Sequence, residues 1–470
     1  MTSRANSTHT SVTVMRYLVF LSSLLLFACA RPAAEAPAPE SPAAETAPGG
    51  NAKPPAADPT VASPAEATPA EPKPLTRPAE PLNVILLIVD AMRADMPWAG
   101  YARQTAPNLT AIEKESVSYT QAHSVASYTA KAVAAMLSGQ YPSSLKRSGY
   151  FFTKYPESNL FFPELLQQAG IHTIATHAHQ YMNPKNGLAQ GFVDWQLVQG
   201  ISFHNKYDAN VTSDRVTALA ISQLEAAPKD KRFFMYVHYM DPHDTYISHK
   251  EAPKWGKRQR DKYDQELFFT DLWVGKFLDA CRKQPWWKKT ALVVTGDHGE
   301  AFGEHGCYRH AFEIWEPLVH VPLFFLVPGA TPRRIDVPRS HIDLAPTVLD
   351  LMSVDPAPEM RGKSLVPELF GAEPEARPVL MDLPADSNNM ERRALISGDY
   401  KLLVYEKEWR FELYNLAEDP GEKRDLRKRE PEKFDEMKAL YRKVWDAIPK
   451  VKPFGGNKLM GGSYATGPAE

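Results

Sequence analysis

The chain has 470 residues, of which 43% are hydrophobic, and its 54 basic residues nearly balance 56 acidic ones. This length allows two domains, or one large domain with an appendage, and the apolar fraction is sufficient for a sizeable core. The near-neutral charge excludes the strongly basic composition typical of nucleic-acid-binding proteins, so we expect no nucleic-acid partner. Three cysteines are too few for a disulfide framework, and the composition leaves the oligomeric state open.

The N-terminal segment is typical of a secreted bacterial protein. Arg16 precedes a short apolar run over residues 17–27, which reads as a signal-peptide core rather than a membrane span. The run ends in Leu26-Phe27-Ala28-Cys29, which resembles a lipobox, so we predict a lipoprotein signal peptide over residues 1–28 and a membrane anchor through lipid on Cys29. An unlipidated signal peptide or anchor is the alternative. The predicted location is the cell envelope, at the outer membrane or the periplasmic face of a Gram-negative bacterium.

The segment that follows contains almost nothing that can form a core. Residues 29–80 are rich in alanine, proline, glutamate and threonine, a composition that favours a disordered, semi-extended chain. We therefore predict a linker that holds a folded domain near a membrane.

A buried strand and a carboxylate open the folded part. Residues 82–89 are continuously apolar, as in a strand that is buried on both faces of a parallel sheet. Asp90 follows directly, at the strand end where such sheets bind ligands. We interpret Asp90 as a candidate metal ligand, and a helix-capping aspartate is the alternative.

The next candidate is a hydroxyl at a helix start. Residues 130–137 favour a helix, so Thr129 is predicted at its N-terminus, where backbone N–H groups favour an anion. The alternative is that Thr129 only caps the helix. Lys131 either supplies positive charge to a bound oxyanion or is a solvated helix lysine.

Two more apolar strands end in polar motifs. Residues 232–240 lead into Asp241-Pro242-His243-Asp244, and residues 290–296 lead into Asp297-His298-Gly299-Glu300. His310 follows the second motif. Because carboxyl ends of parallel strands share one edge of a sheet, these side chains are expected to converge.

Taken together, these segments resemble the sulfatases of the alkaline-phosphatase superfamily. Besides the motifs above, the resemblance includes the ending Ser138-Gly139-Gln140-Tyr141-Pro142 and the C-terminal segments over residues 412–416 and 419–422. It covers roughly residues 82–447. It implies an α/β fold with an alkaline-phosphatase-like, mostly parallel sheet flanked by helices, and a smaller C-terminal antiparallel α+β subdomain. We place the catalytic domain at 81–376, the subdomain at 377–450, and a mobile tail at 451–470.

The resemblance also implies roles for the candidate residues. Thr129 takes the nucleophile position, and His243 or His310 assists the leaving group. His243 could alternatively join a second metal site with Asp241. The implied ligands of a divalent metal ion are Asp90, Thr129, Asp297 and His298. The nitrogen ligand favours zinc or manganese, with calcium as the weaker candidate, and Ala91 stands where many sulfatases have a second aspartate.

The nucleophile segment departs from the family pattern. Formylglycine sulfatases carry Cys or Ser, Pro and Arg where this chain has Thr129, Lys131 and Val133. Unmodified threonine is the nucleophile in relatives that act on phosphorus. We therefore expect a metal-dependent hydrolase of sulfate or phosphate esters, acting on a sulfated or phosphorylated small molecule, glycan or lipid. The alternatives are a phosphotransferase resembling phosphoethanolamine transferases, which would act on envelope lipid or glycan, and a non-catalytic protein that binds sulfated or phosphorylated polysaccharide.

Overall fold

Two main sheets and nine α-helices make up most of the part of the chain that the structure, a computed structural model, describes: residues 78–202 and 209–456. The predicted signal peptide, Cys29, nearly all of the predicted linker and residues 457–470 lie outside the described residues. The described residues fall within one compact unit of the chain. Among them, no helix combines the length and the apolar character that crossing a membrane requires.

Most strands belong to the larger sheet or to a separate C-terminal one. The strands are β1 (Asn83–Val89), β2 (Val117–His123), β3 (His172–His177), β4 (Asp194–Leu197), β5 (Phe233–Tyr239), β6 (Thr290–Gly296), β7 (Ala301–Phe302), β8 (Tyr308–Arg309), β9 (His320–Leu326), β10 (Arg333–Ile335), β11 (Arg339–Ser340), β12 (Val379–Leu383), β13 (Arg392–Ser397), β14 (Tyr400–Tyr405) and β15 (Arg410–Asn415). The helices are α1 (Pro107–Lys114), α2 (Thr129–Ser138), α3 (Phe162–Gln168), α4 (Ser213–Ala226), α5 (Gln259–Arg282), α6 (Glu316–Val319), α7 (Leu344–Leu351), α8 (Val366–Leu369) and α9 (Pro431–Asp446).

The larger sheet is mostly parallel, as predicted. Its order is β10-β2-β9-β6-β1-β5-β3-β4, with β11 also beside β2. Only β9 runs antiparallel to its neighbours β2 and β6 in this sheet of the described chain. The central strands β6, β1, β5 and β3 are parallel, so their carboxyl ends meet at one edge.

Side-chain alternation in β1 explains why its apolar run is continuous. Val84, Leu86 and Ile88 join the hydrophobic cluster that contains α2, α3 and α7. Ile85 and Leu87 point the other way, into the cluster with α1, α4 and α5. Each fully buried aliphatic side chain of this kind contributes roughly 1.5–3 kcal/mol. Burial on both faces therefore fixes β1 at the centre of the molecule.

The C-terminal part forms a four-stranded antiparallel sheet in the order β12-β13-β14-β15, and α9 packs on β13 and β14. The sheet and the helix agree with the antiparallel α+β subdomain that the resemblance implied. The sheet shares a hydrophobic cluster with α2 and α7, and the domain boundary at residues 376/377 stays a prediction.

The sheet register brings the polar strand ends together. Val89 of β1 pairs with Gly296 of β6, so Asp90 and Asp297 follow neighbouring strand ends. A side chain at position 296 would not fit, because a Cβ there would lie 2.6 Å from the carbonyl oxygen of Met92. Glycine therefore allows the chain after β1 to cross directly over the end of β6.

Candidate active site

Two buried aspartates form the floor of the site. Oδ1 of Asp297 accepts hydrogen bonds from the backbone N–H groups of Ala91, at 3.2 Å, and His298, at 3.0 Å. Ala91 has a φ of 56°, a strained left-handed conformation for a residue with a Cβ. Within the described residues, Oδ2 of Asp297 and Oδ1 of Asp90 are buried without a hydrogen-bond partner. Such oxygens are costly unless a cation neutralises them.

His298 places its Nε2 beside these oxygens. Its Nδ1 lies 2.9 Å from the carbonyl oxygen of Gly299, which can only accept, so Nδ1 carries the hydrogen and Nε2 of the neutral ring keeps its lone pair. Nε2 lies 3.4 Å from Oδ2 of Asp297 and 3.8 Å from Oδ1 of Asp90. A backbone carbonyl that fixes the tautomer in this way is typical of metal-binding histidines.

Thr129 is the first residue of α2 and is almost fully buried. Its Oγ1 lies 3.1 Å from Nε2 of His298. The preceding residue, Tyr128, is the helix N-cap and stacks on Phe151 with ring centroids 4.4 Å apart. The hydroxyl therefore sits at a helix N-terminus beside the two aspartates, in an orientation fixed by packing.

The donor set fits a divalent cation. Two unpartnered carboxylate oxygens, one imidazole lone pair and one hydroxyl converge, which suits zinc or manganese. Burial opposes ionisation of Asp90, but its hydrogen-bond contact with His238 and the neighbouring rings of His243 and His298 outweigh burial and lower its pKa. Asp90 therefore stays a carboxylate, and the binding of an ion by this set remains a prediction.

His310 lies next to this set and is oriented by Glu300. Nδ1 of His310 lies 3.1 Å from Oε2 of Glu300, so this carboxylate positions the ring through one of its nitrogens. Burial raises the pKa of Glu300, but the charge and hydrogen bond of His310 outweigh it and the net pKa is lowered. The His310 ring centroid is 4.3 Å from that of His298 and 4.9 Å from that of His243. Both predicted leaving-group histidines therefore border the same space.

Asp241 has a structural role at the start of α4. Its Oδ1 accepts from both the N–H and the hydroxyl of Thr212 at 2.6 Å, and its Oδ2 accepts from the N–H of Ser213 at 2.9 Å. The carboxylate caps the start of α4 with these three bonds. This arrangement argues against the alternative of a second metal site built from Asp241 and His243.

Lys131 lies in the first turn of α2 but has a carboxylate partner outside it. Its ammonium group hydrogen-bonds and ion-pairs with Asp386, and both side chains are buried. Burial lowers the pKa of Lys131, against the effect of Asp386. The pair links α2 to the loop between β12 and β13, and a contact of Lys131 with substrate remains a prediction.

Several residues of the site were not identified from the sequence. Glu300 ends the motif Asp297-His298-Gly299-Glu300, but its contact with His310 was not predicted from the sequence. His238, inside β5, has Nε2 3.1 Å from Oδ2 of Asp90. His177 and His179 are buried nearby, and burial lowers the pKa of His177 to about 3. The available signal was the occurrence of histidines in or just after otherwise apolar strands.

A cleft of about 370 Å³ opens at His310. Phe312 and Trp315 line it from the catalytic part, and Arg392, Tyr405 and Arg410 line it from the C-terminal sheet. Cys307 also lines this cleft. The cleft therefore has room beside the candidate leaving-group histidine for a substrate larger than the ester group. Its aromatic and cationic side chains could contact such a substrate.

Two protein-family models match this chain. A family model described as Sulfatase matches residues 82–354. A second model, described as N-sulphoglucosamine sulphohydrolase, C-terminal, matches residues 303–449. The two matches together cover both main sheets of the described chain.

Individual proteins give the same result. The chain is 23% identical to a choline-sulfatase of Rhizobium meliloti over 426 residues, which is 72% of this chain and 83% of that protein. It is also 23% identical to an ulvan-active sulfatase of Formosa agariphila, over 64% of this chain and 67% of that one. A solved structure of a protein in complex with its substrate D-glucosamine-2-N,6-O-disulfate matches with a TM-score of 0.66 and 19% identity, over 79% of this chain and 99% of that one. A phosphonate monoester hydrolase from Silicibacter pomeroyi matches with a TM-score of 0.63 and 18% identity, over 78% and 94%.

Proposed function

This chain belongs to the sulfatase family, and we propose that it is a metal-dependent hydrolase of sulfate esters in which Thr129 is the nucleophile. One observation carries the proposal. Oγ1 of Thr129 lies 3.1 Å from Nε2 of His298, and this nitrogen also faces the unpartnered oxygens of Asp90 and Asp297. A hydroxyl held beside a cation-binding set is the arrangement that activates a weak nucleophile.

The proposed first step is attack of Thr129 on sulfur. Asp90, Asp297 and His298 would hold the ion, which would supply the positive charge that lowers the pKa of the Thr129 hydroxyl and stabilises developing negative charge. Thr129 loses its proton to water, and its Oγ1 forms a bond to sulfur while the bond from sulfur to the leaving oxygen breaks. His310, held by Glu300, gives a proton to that oxygen.

The second step regenerates the enzyme. Water attacks sulfur, His310 takes a proton from it, and the bond between sulfur and Oγ1 of Thr129 breaks. Thr129 then regains a proton, and the products are an alcohol and hydrogen sulfate. His310 thus acts as an acid in the first step and as a base in the second.

Phosphate esters are the second candidate substrates, because of the nucleophile itself. Thr129, Lys131 and Val133 replace the Cys or Ser, Pro and Arg of formylglycine sulfatases. A phosphothreonine can be resolved by water attack at phosphorus, whereas a sulfothreonine lacks the elimination route that a formylglycine hydrate offers.

The substrate class and the location complete the proposal. The sulfatases with which the chain aligns support a sulfated small molecule or glycan as substrate. The lipobox-like segment that ends at Cys29 supports a lipid-anchored enzyme of the cell envelope. An enzyme held there by a long linker would act on sulfated material close to the membrane.

A paired assay tests the reaction. Purified protein supplied with manganese or zinc is assayed on para-nitrophenyl sulfate, para-nitrophenyl phosphate and bis-para-nitrophenyl phosphate, with Thr129→Ala as the control. We expect sulfate hydrolysis that the substitution abolishes. Activity on the phosphate esters alone would favour the second candidate, and full activity of T129A would overturn the nucleophile.

A further inference from the structure

We propose that His238 is a direct ligand of the metal ion, so that two imidazoles and two carboxylates hold it beside Thr129. This inference rests on the proposed function only in requiring a cation in the site. It adds a ligand that lies inside β5, outside the motifs that mark the site in the sequence.

The positions of the ligand atoms carry the inference. One ligand atom each from Asp90, His238 and Asp297 lies within 4.8 Å of the others, and all three residues are buried. His298 faces the same two aspartates through Nε2, at 3.8 Å from Asp90 and 3.4 Å from Asp297. The two sets therefore share both carboxylates, and a cation placed between them has an imidazole available from β5 and another from the end of β6.

The hydrogen bonds of His238 permit ligation. Nδ1 lies 2.7 Å from the hydroxyl of Tyr236, which can donate or accept. When Tyr236 accepts, the hydrogen resides on Nδ1 and the lone pair of Nε2 is directed toward Asp90. The hydroxyl of Tyr236 then serves His238 as the carbonyl of Gly299 serves His298.

The chain beside Asp90 explains why a ligand from β5 is needed. Ala91 follows Asp90 and has no side-chain donor atom, while its backbone N–H is committed to Asp297. β5 is hydrogen-bonded to β1, and His238 pairs in register with Ile88. His238 is therefore the donor that the neighbouring strand supplies at the level of Asp90. A second nitrogen shifts the preference of the site from calcium toward manganese and zinc.

The competing arrangement keeps His238 outside the coordination sphere. In it, Nε2 carries the hydrogen and donates to Oδ2 of Asp90, at 3.1 Å. The two arrangements differ in the number of nitrogens bound to the ion, which is two in the first and one in the second.

Pulsed electron paramagnetic resonance of the manganese-loaded protein counts these nitrogens without reference to catalysis. We expect two imidazole couplings in the wild type and one each in His238→Gln and His298→Gln. His177→Gln is the matched control, because His177 is a buried histidine that pairs with His238 from β3, and it should keep both couplings. A single coupling in the wild type would overturn the inference.

Affinity measurements give a second readout. His238→Gln should weaken manganese binding at least ~10-fold, and His238→Asp should bind the ion with one nitrogen and raise the affinity for calcium relative to manganese. Unchanged relative affinities in H238D would contradict direct ligation. A protein with two couplings but no hydrolytic activity would defeat the proposed function and leave this inference standing. Failure to bind a stoichiometric ion would overturn the inference together with the metal dependence.

Discussion

Oγ1 of Thr129 and Nε2 of His298 lie 3.1 Å apart although 169 residues separate them in the chain. The contact exists because α2 begins in front of the edge at which β6 ends. Both side chains are buried, and the other nitrogen of His298 is held by the carbonyl of Gly299. The hydroxyl and the ring nitrogen are thus held next to each other by packing and by the backbone.

This geometry predicts how substitutions of Thr129 behave. Thr129→Val keeps the shape of the side chain and removes the hydroxyl, so kcat should fall by at least about 10³-fold, as expected for loss of a nucleophile. Thr129→Ser keeps the hydroxyl and should retain substantial activity. Steady-state kinetics on an aryl sulfate measures both, and thermal unfolding should show T129V folded. A serine variant as inactive as the valine variant would show that more than the hydroxyl is required.

The contact of His310 with Glu300 predicts a dependence on the leaving group. If His310 protonates the leaving oxygen, His310→Gln should lower kcat/KM by about 10²–10⁴-fold for an alkyl sulfate. The loss should be much smaller for para-nitrophenyl sulfate, whose leaving group needs little protonation. The same series in His243→Gln identifies which of the two histidines acts. Equal losses on both substrates in H310Q would remove His310 as the acid.

Strand-end positions explain why much of the site was predictable. A continuous apolar run that ends in a polar residue marks both the strand and the edge to which it delivers that residue. Asp90 and Asp297 follow such runs, and the register of β1 with β6 brings them side by side. The mostly parallel sheet and the antiparallel C-terminal sheet, which the resemblance to sulfatases implied, are confirmed.

Other contacts depend on packing that no local pattern encodes. Asp386 forms its hydrogen bond with Lys131, which is 255 residues away in the chain. The sequence around a single carboxylate in a loop does not indicate such a partner. His238 faces the site because of its register in β5, which becomes visible only once the strand order is known. The resemblance to sulfatases therefore did not predict the contacts of Asp386 and His238.

The buried pair of Lys131 and Asp386 predicts a strong coupling in stability. Lys131→Met or Asp386→Asn alone leaves a buried group without its partner and should cost about 3–5 kcal/mol of unfolding free energy. The double variant K131M/D386N should recover much of that loss. Urea unfolding of the four proteins of this cycle measures the coupling, and additive losses would contradict it.

The same double variant tests the predicted contact of Lys131 with substrate. If Lys131 also supplies charge to the bound oxyanion, the folded double variant should still lose about 10-fold or more in kcat, since charged stabilisers of transition states are worth at least this much. Wild-type kcat in a stable K131M/D386N protein would remove Lys131 from the catalytic residues.

Glu422 predicts a pH dependence of stability. Burial raises its pKa, Lys401 opposes this and the neighbouring Glu316 adds to it, with a net pKa of about 7 against 4.5 for the free group. The folded protein therefore holds this proton more tightly than the unfolded chain does. Stability contributed by the protonated group is present below pH 4.5 and is lost as the pH rises to about 7.

Glu422→Gln should remove this loss, which amounts to at most about 3 kcal/mol. The introduced amide keeps an oxygen for the backbone N–H of Glu316, which donates to the Glu422 carboxyl group at 2.7 Å, and Lys401 keeps Glu316 as its partner at 2.8 Å. Urea unfolding at pH 5 and pH 8 should show a smaller drop in E422Q than in the wild type. The exposed substitution Glu432→Gln is the control, and an identical drop in E422Q and wild type would contradict the assignment.

Metal removal should destabilise the protein as well as inactivate it. Without a cation, Oδ1 of Asp90 and Oδ2 of Asp297 are buried carboxylate oxygens with no partner among the described residues, and their mutual repulsion is not neutralised. An ion at 100 times its dissociation constant stabilises a folded protein by about 2.7 kcal/mol, so chelation should lower Tm measurably.

Manganese or zinc should restore both Tm and activity at lower concentration than calcium, because imidazole is a poor ligand for calcium. Asp297→Asn removes one of the two charges and should show a much smaller response to the same additions. A Tm that is indifferent to chelation, or restored best by calcium, would mean that these side chains do not form the nitrogen-containing site inferred from their geometry.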